Sequence, residues 1–233
     1  MPVSLPFPNP ASPPPAGESP GTPLWHSLPA GKRELVVQAA VEEFASHGYE
    51  GASLNTVVRQ AGISKGSLFT YFPSKAVLFD ALVRLAAGGI REDLRALRDR
   101  TRQESFAQRL EALVRTGLDF LEQRPQLARI WFRVLPGSQV PLGRRQVEAL
   151  RRRSRDFLEE LIREGQERGE LRGDLEAGRL AFLLNLHLEA LLNAWQERDQ
   201  QLEVEPGPGR EELVRDFLAL TLRGMAHQPE GAA

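Results

Sequence analysis

The stretch SLNTVVRQAGISKGSLFTYFPSK, residues 53–75, decides how the N-terminal part of this chain folds. Ser53 has the side chain of a helix N-cap, and the short helical segment after it ends at Gly62, because glycine readily leaves the helical conformation. Ser64 can cap a second short helix, which Pro73 terminates. Two short helices joined by a turn that contains glycine predict a helix-turn-helix unit.

Helical periodicity continues on both sides of this stretch. Before it, apolar residues recur at Leu35, Val36, Ala39, Ala40 and Phe44. Glu42 and Glu43 lie between Ala40 and Phe44, so the helix is amphipathic. The pair His47-Gly48 ends it. After it, the pattern predicts a longer helix from Ser74 and further helices near 104–123, 125–135, 144–168, 175–199 and 209–226. No segment shows sustained alternation of apolar and polar residues, so we expect an all-α fold of about nine helices.

The composition is that of an ordinary globular protein. Of 233 residues, 41% are hydrophobic and 26% charged, and the formal net charge of −1 favours no class of partner. The absence of cysteine excludes disulfides and zinc sites built on thiolates. The chain has no apolar run of the roughly 18 to 20 residues that span a bilayer and no signal-peptide pattern, so we expect a cytoplasmic protein without a membrane partner.

Residues 53–75 resemble the DNA-binding signature of the tetracycline-repressor (TetR) family of bacterial transcriptional regulators. The blocks Ala-Gly-Ile-Ser, Gly-Ser-Leu-Phe-x-Tyr-Phe and Ser-Lys stand in the family's order without gaps, and the resemblance includes the preceding helix. Two positions depart from the family pattern. Phe69 replaces the usual Tyr and offers only its ring, and Val58 replaces the usual Ala and should slightly widen the packing between the short helices.

The second short helix would enter the major groove of DNA. Its exposed side carries an ammonium group and hydroxyls that can bond phosphate oxygens or base edges. By resemblance, bases are contacted by Asn55, Lys65, Gly66, Phe69 and Thr70, and phosphates by Ser53, Ser67, Tyr71 and Lys75. Lys32 and Arg33, at the start of the first helix, can reach flanking phosphates. The core that joins the two helices is expected to contain Ala61, Ile63, Leu68 and Phe72.

Charge in the helix-turn-helix region is nearly balanced. Residues 32–75 contain five basic and four acidic side chains, a net charge of 5 − 4 = +1, although all three lysines of the chain lie there. Bulk charge alone cannot then drive binding to DNA, and affinity must come from placed contacts and from two copies acting together. We expect modest non-specific binding and a clear dependence on salt.

The resemblance divides the chain into four segments. These are a disordered Pro-rich tail (1–31), a helix-turn-helix DNA-binding domain (32–78), an effector-binding and dimerisation domain (79–227) and a flexible tail (228–233). The first tail follows from its composition, since ten of the 17 prolines lie in the first 29 residues and proline removes backbone donors. Within it, exposure of Leu24, Trp25 and Leu28 is favoured over docking on the folded body.

The segment LAFLLNLHLEALLNAW, residues 180–195, is apolar around nearly its whole circumference, so such a helix must be covered on two faces. Burial within one subunit is one interpretation. A homodimer interface is favoured, because palindromic operators need two reading helices about 34 Å apart. The candidate interface residues are Phe182, Leu186, Ala190, Asn193, Leu213, Phe217 and Leu220.

A pocket for a small-molecule effector is implied by the family resemblance alone. Its candidate residues, each more often a core residue than a ligand contact, are Phe106, Phe120, Arg129, Trp131, Phe132, Asn185 and His187. A basic run consists of Arg144, Arg145, Arg151, Arg152, Arg153 and Arg155. It is expected to be a solvated face paired with Glu148, Asp156, Glu159 and Glu160, and the alternative is a rim that binds an anion such as an acyl-coenzyme A phosphate.

Together these features predict a ligand-responsive, DNA-binding transcriptional regulator: a homodimeric repressor that binds a palindromic operator and is released by an unidentified small molecule. A helical adaptor without DNA binding is the alternative. An enzyme is disfavoured, because the chain has no thiol, no Gly-x-Ser-x-Gly, no His-Glu-x-x-His and no phosphate-binding glycine loop. We therefore expect no catalytic residue, no metal site and no cofactor.

Overall fold

The computed structural model describes residues 21–133, 144–198 and 209–225. All ten regular elements in these ranges are α-helices, which confirms the all-α prediction. They are α1 (Pro23–Ser27), α2 (Ala30–Gly51), α3 (Leu54–Ala61), α4 (Lys65–Tyr71), α5 (Lys75–Arg100), α6 (Phe106–Gln123), α7 (Pro125–Arg133), α8 (Arg144–Glu167), α9 (Ala177–Arg198) and α10 (Arg210–Met225). The short helix α1 is additional to the predicted set.

Two compact units divide the chain. Unit 1 comprises Met1–Ile90 and Arg124–Glu148, and unit 2 comprises Arg91–Gln123 and Ala149–Ala233. The first boundary falls within α5, after Ile90. The domain bounds predicted at residues 78 and 79 also fall within this helix, and the predicted domains stay a prediction. An uninterrupted helix hides such a boundary, since its helical pattern continues from one unit into the next. Helix α7 belongs to unit 1, where it packs against α2.

Unit 1 is built around the apolar face of α2. Val36, Ala40 and Phe44 are buried, as their helical spacing predicted. The ring of Phe44 lies 5.2 Å from the ring of Phe79 on α5, tilted by 53°, and Tyr49 also packs on Phe79 at 5.3 Å. Burial of these apolar and aromatic groups holds α5 against α2.

Helix α2 bends at Gly48, where the sequence predicted its end. The φ of Gly48 is 69°, in the left-handed region that favours glycine. Arg133, the last residue of α7, donates from Nη1 to the carbonyl oxygen of Phe44 at 3.3 Å. A Cβ at residue 48 would lie only 3.0 Å from the same nitrogen. Glycine at this position thus permits both the bend and the approach of α7.

Glu43 is buried in unit 1, whereas the amphipathic pattern grouped it with the exposed Glu42. Only 6% of Glu43 is exposed, and its Oε1 accepts a hydrogen bond of 2.7 Å from the backbone N–H of Ser53. This bond joins α2 to the start of α3. Helical periodicity could not reveal it, because the donor lies ten residues further along the chain, outside the helix.

We expect Glu43→Ala to lower the free energy of unfolding by about 1–3 kcal/mol, because the N–H of Ser53 loses its acceptor in a partly buried position. Urea denaturation of the variant and the wild type measures the difference. Glu42→Ala, on the exposed side of the same helix, is the matched control and should change the free energy by less than about 0.5 kcal/mol. Equal stability of Glu43→Ala and the control would contradict the role of this bond.

In unit 2, α6 packs against α9 and α10. Leu118 of α6, Leu161 of α8 and Leu184 of α9 are buried and contribute to its core. A buried arginine adds an ion pair to these apolar contacts. Arg109 of α6, only 4% exposed, donates to the carboxylate of Glu164 on α8.

Two surface arginine clusters join α6 to α10. Arg115 donates to both carboxylate oxygens of Glu211 at 2.8 Å, and hydrogen bonding to Arg115 holds the pKa of Glu211 below its usual range. Arg210 pairs with Asp119 and Glu122 of α6. Exposed ion pairs contribute little to stability, so these contacts chiefly align the two helices.

The segment that precedes α2 is folded, which corrects part of the predicted disordered tail. Trp25 of α1 is 7% exposed, whereas exposure was expected, and Leu24 is exposed as expected. Proline does not prevent this turn, because Pro23 occupies the first helical position, where no backbone donor is needed. Residues 1–20 and 228–233, the rest of the predicted tails, lie outside the described residues.

Candidate nucleic-acid interface

The two short helices begin and end where the sequence predicted. The Oγ of Ser53 accepts from the N–H of Thr56 at 3.4 Å, and the Oγ of Ser64 accepts from the N–H of Ser67 at 3.0 Å. Between them Gly62 has φ 65° and ψ 33°, a left-handed conformation that suits glycine. These local interactions build the helix-turn-helix.

A small apolar core sets the angle between α3 and α4. Ala61, Leu68 and Phe72 are buried, as predicted, together with Val57 of α3. Ile63, predicted to share this core, is only half-buried. The opposite side of α4 is consequently left facing solvent.

The exposed side of α4 displays the residues predicted to contact bases. Lys65, Gly66, Phe69 and Thr70 are exposed, whereas Ser67 and Tyr71 are half-buried. Asn55 of α3 and Lys32 of α2 are also exposed, and Arg33, Ser53 and Lys75 are half-buried. These eleven predicted positions all lie in unit 1, and their contacts with DNA stay predictions.

The hydroxyl groups of Ser64, Ser67 and Thr70 are already hydrogen-bonded within the protein. Thr70 Oγ1 donates to the carbonyl of Gly66 at 2.9 Å, and the Oγ atoms of Ser64 and Ser67 lie 2.8 Å apart. A hydroxyl has a single proton to donate, and phosphate oxygens only accept. A hydrogen bond donated by Thr70 to DNA therefore requires its hydroxyl to turn away from Gly66, while its methyl group stays available to a thymine methyl.

Lys75 has a structural role that the sequence did not suggest. Its Nζ donates to the carbonyl of Glu50 at 2.9 Å and lies 5.2 Å from the centroid of the Tyr49 ring. The ammonium group has three protons, so two donors remain for a phosphate. Lys75 thus supports the end of α2 and can still serve the predicted contact.

The local charge is more favourable than the regional sum. No acidic residue occurs between Glu50 and Asp80, a stretch that contains Arg59, Lys65 and Lys75. The acidic side chains of the region lie on α2 instead. The α3–α4 surface is therefore positive although residues 32–75 sum to only +1, which fits a surface for polyanionic DNA.

The predicted effector-binding residues are divided between the two units. Arg129, Trp131 and Phe132 belong to unit 1, and Phe106, Phe120, Asn185 and His187 to unit 2. Phe106, Phe120 and Trp131 are buried, whereas His187 is exposed. Asn185 donates to Glu189 at 2.9 Å. Their role in ligand binding stays a prediction.

Sequence reasoning did not select Arg109. Besides its pairing with Glu164, its Nε is buried without a hydrogen-bond partner within the described part of the chain. The helical periodicity of α6 does not distinguish Arg109 from the other polar residues of this amphipathic helix.

The basic run on α8 is partly structural. Arg151 was expected to pair with acids of its own helix, and it forms a two-pronged ion pair with Glu189 of α9, at 3.0 and 2.6 Å. Arg152, Arg153 and Arg155 are exposed, as expected of a solvated face. The side chains of Arg144 and Arg145 lie outside those that the structure describes.

An apolar surface remains exposed on α9 and α10. Phe182, Leu186 and Ala190 recur every four residues of α9 and are exposed, and Leu220 of α10 is 76% exposed. Leu184 and Leu188, on another side of α9, are buried. The remaining predicted interface residues, Asn193, Leu213 and Phe217, are half-buried. The helix is thus covered on one face only by its own subunit.

Neither a membrane span nor a metal cluster is found in residues 21–133, 144–198 and 209–225. None of the helices there is long and apolar enough to cross a bilayer. No group of three or more His, Asp or Glu side chains in those ranges could hold a metal ion.

The paired short helices and the exposed basic face of α4 define a helix-turn-helix DNA-binding protein. The family profile "Bacterial regulatory proteins, tetR family" matches residues 36–82, and the profile "Tetracyclin repressor-like, C-terminal domain" matches residues 103–189. The chain belongs to the TetR family and is a ligand-responsive, DNA-binding transcriptional regulator.

The chain is also similar to individual proteins and solved structures. The nucleoid occlusion factor SlmA of Marinobacter nauticus is 32% identical over 149 residues, which cover 62% of this chain and 71% of that protein. A TetR-family transcriptional regulator from Chloroflexus aurantiacus has a similar structure, with a TM-score of 0.69 at 26% identity over 89% of this chain and 99% of that chain. FadR of Bacillus subtilis, solved in complex with stearoyl-CoA, shares the fold, with a TM-score of 0.65 at 19% identity over 82% and 98% of the chains.

Proposed function

We propose that the protein is a homodimeric repressor in the cytoplasm, where α4 of each subunit reads one half of a palindromic operator. A small-molecule effector releases the protein from DNA, and the protein acts by binding, without catalysis. The observation that carries the proposal is the surface of α4: Leu68 is buried beneath it, while Lys65, Gly66 and Thr70 face solvent. This face combines a cation with a close-approach position, as base reading requires.

The exposed apolar residues of α9 and α10 support the homodimer. Phe182, Leu183 and Leu186 are each nearly half exposed, and Leu220 is more so. Large apolar side chains are costly to leave in water, and burial against the same residues of a second copy gives a twofold interface. Twofold symmetry also supplies the two recognition helices that a palindrome needs.

Helix α5 supports the release mechanism. It begins four residues after the end of α4 and contains the boundary between the two units. An effector that binds unit 2 and prefers another position of α5 shifts the equilibrium away from the DNA-binding conformation. An acyl-coenzyme A is the first class to test, since the B. subtilis FadR structure contains stearoyl-CoA.

Selection of bound duplexes from a random DNA pool tests the proposal. We expect a palindrome whose half-site centres lie about 10 base pairs apart, or a multiple of that spacing, because each recognition helix enters a successive major groove. Acyl-coenzyme A compounds of different chain lengths are then added to the complex with the selected duplex, and release is followed by fluorescence anisotropy. Failure to enrich any sequence at low salt would contradict operator binding, and an enriched motif without symmetry would contradict the dimer.

A further inference from the structure

Helix α4 depends on support from outside itself. It has seven residues, and a helix this short is not stable alone. Of these residues Leu68 is the buried one, and Phe72 anchors the chain directly after the helix. The last carbonyl groups of any helix also lack partners within it. The orientation of the exposed face of α4 therefore depends on what holds its C-terminal turn.

Thr22 supplies partners for two of these carbonyl groups. Its backbone N–H donates to the carbonyl of Tyr71 at 3.1 Å, and its Oγ1 donates to the carbonyl of Thr70 at 2.9 Å. Both acceptors belong to residues predicted to contact DNA. The donor lies 48 residues before Thr70 in the chain, so this is a cap made by tertiary structure.

Trp25 packs against the same end of α4. Its ring centroid lies 4.8 Å from that of Phe72 and 5.9 Å from that of Tyr71, with interplanar angles of 58° and 53°. Tilted aromatic pairs at these separations attract each other beyond simple apolar burial. The indole thereby limits the positions open to the Tyr71 ring.

The backbone of Gly21 lies close to the indole ring of Trp25. Gly21 has φ +100°, and a Cβ there would lie 2.8 Å from the indole of Trp25. Residues 21–29 contain no Asp, Glu, Lys or Arg, and His26 is the one titratable side chain among them. The contacts of Thr22 and Trp25 are those of a support for the end of α4.

We infer that residues 21–27, the N-terminal clamp, position α4 for base reading, with Thr22 and Trp25 as positioning residues that act through Thr70 and Tyr71. The inference rests on the proposed function of α4 as the DNA-reading helix. Base contacts need a defined geometry, whereas attraction to phosphates tolerates displacement. Loss of the clamp should thus weaken binding to the operator far more than binding to unrelated DNA.

The test compares Trp25→Ala with Leu24→Ala, a matched control on the same turn whose side chain is 57% exposed. Each full-length variant is titrated with the duplex selected by the wild type and with a scrambled duplex of equal length at the same salt concentration. We expect Trp25→Ala to raise the Kd for the selected duplex about tenfold and that for the scrambled duplex by less than about twofold. Leu24→Ala should match the wild type, and Trp25→Phe should recover most of the affinity.

An unchanged Kd of Trp25→Ala for the selected duplex, or equal losses on both duplexes, would overturn the inference. If Trp25→Ala loses its helical circular dichroism, Thr22→Val is used to test the inference instead, because it removes only the hydroxyl donor. We expect it to raise the Kd for the selected duplex about threefold, with recovery in Thr22→Ser, and no change would overturn the inference. If the wild type enriches no duplex in the selection, both the proposed function and the clamp are refuted. If the wild type binds a selected duplex and Thr22→Val has the same Kd for it, the clamp alone is refuted.

Discussion

Lys65→Glu should raise the Kd for the operator at least about a hundredfold, because each subunit loses a cation at the DNA surface and gains a repelling carboxylate. Lys65 begins α4 and is exposed, so the substitution leaves the core of the helix-turn-helix unchanged. The slope of log K against log salt concentration should also become less steep, because each subunit then neutralises less of the phosphate charge. Fluorescence anisotropy with the selected duplex at several salt concentrations measures both quantities.

Arg152→Glu is the matched control for this prediction. It changes the net charge of the chain by the same amount, and Arg152 is an exposed residue of α8 in unit 2. If binding depends on specific contacts of α4 and not on net charge, this variant should bind the operator within about twofold of the wild-type affinity. Equal losses in the two variants would show that overall charge drives binding, and would refute the role assigned to α4.

Leu186→Glu combined with Leu220→Glu should convert the protein to a monomer, with a dimer dissociation constant raised at least about a thousandfold. Twofold symmetry places four new carboxylates in one apolar interface, where they are desolvated and repel one another. Both side chains are exposed in the single subunit, so its fold should persist. Sedimentation velocity reports the mass of the species, and circular dichroism reports its helix content.

The same double variant should bind the operator much more weakly. In a dimer, binding of one subunit holds the other beside the second half-site, whereas separate subunits must bind the two half-sites independently. Leu35→Glu supplies the control, since Leu35 is also a large exposed apolar residue but belongs to α2 in unit 1, whereas α9 and α10 belong to unit 2. It should remain a dimer. A double variant that sediments as the wild type does would show that this apolar surface is not the interface.

The helix-turn-helix was predictable because each of its parts is local. Ser53 and Ser64 bond backbone groups three residues further on, and Gly62 adopts its left-handed conformation within the turn itself. The apolar positions Leu68 and Phe72 follow helical spacing. Interactions that span one turn leave their signature in neighbouring residues, so the pattern identified both the fold and the face of α4 that is exposed.

Glu43, Trp25 and Arg151 show where sequence patterns stop being informative. Glu43 follows the spacing of a surface residue, yet it is buried because the N–H of Ser53 needs an acceptor there. Trp25 lies in a Pro-rich segment and was expected to be exposed, yet it packs on rings of Tyr71 and Phe72. Arg151 was expected to pair with acids of its own helix, yet it pairs with Glu189 of α9. Each partner is distant in the chain, and no local periodicity records it.

The sequence by itself determined the all-α architecture, the bounds of the helix-turn-helix and the residues that α4 displays, because capping, glycine conformation and helical periodicity are properties of neighbouring residues. The tertiary structure alone decided that α2 is tied to α3 through a buried carboxylate, that α7 packs against α2 and that residues before α2 support the end of α4. These features depend on contacts between residues that are distant in sequence. A polar or aromatic side chain in such a contact finds its partner only when the chain has folded.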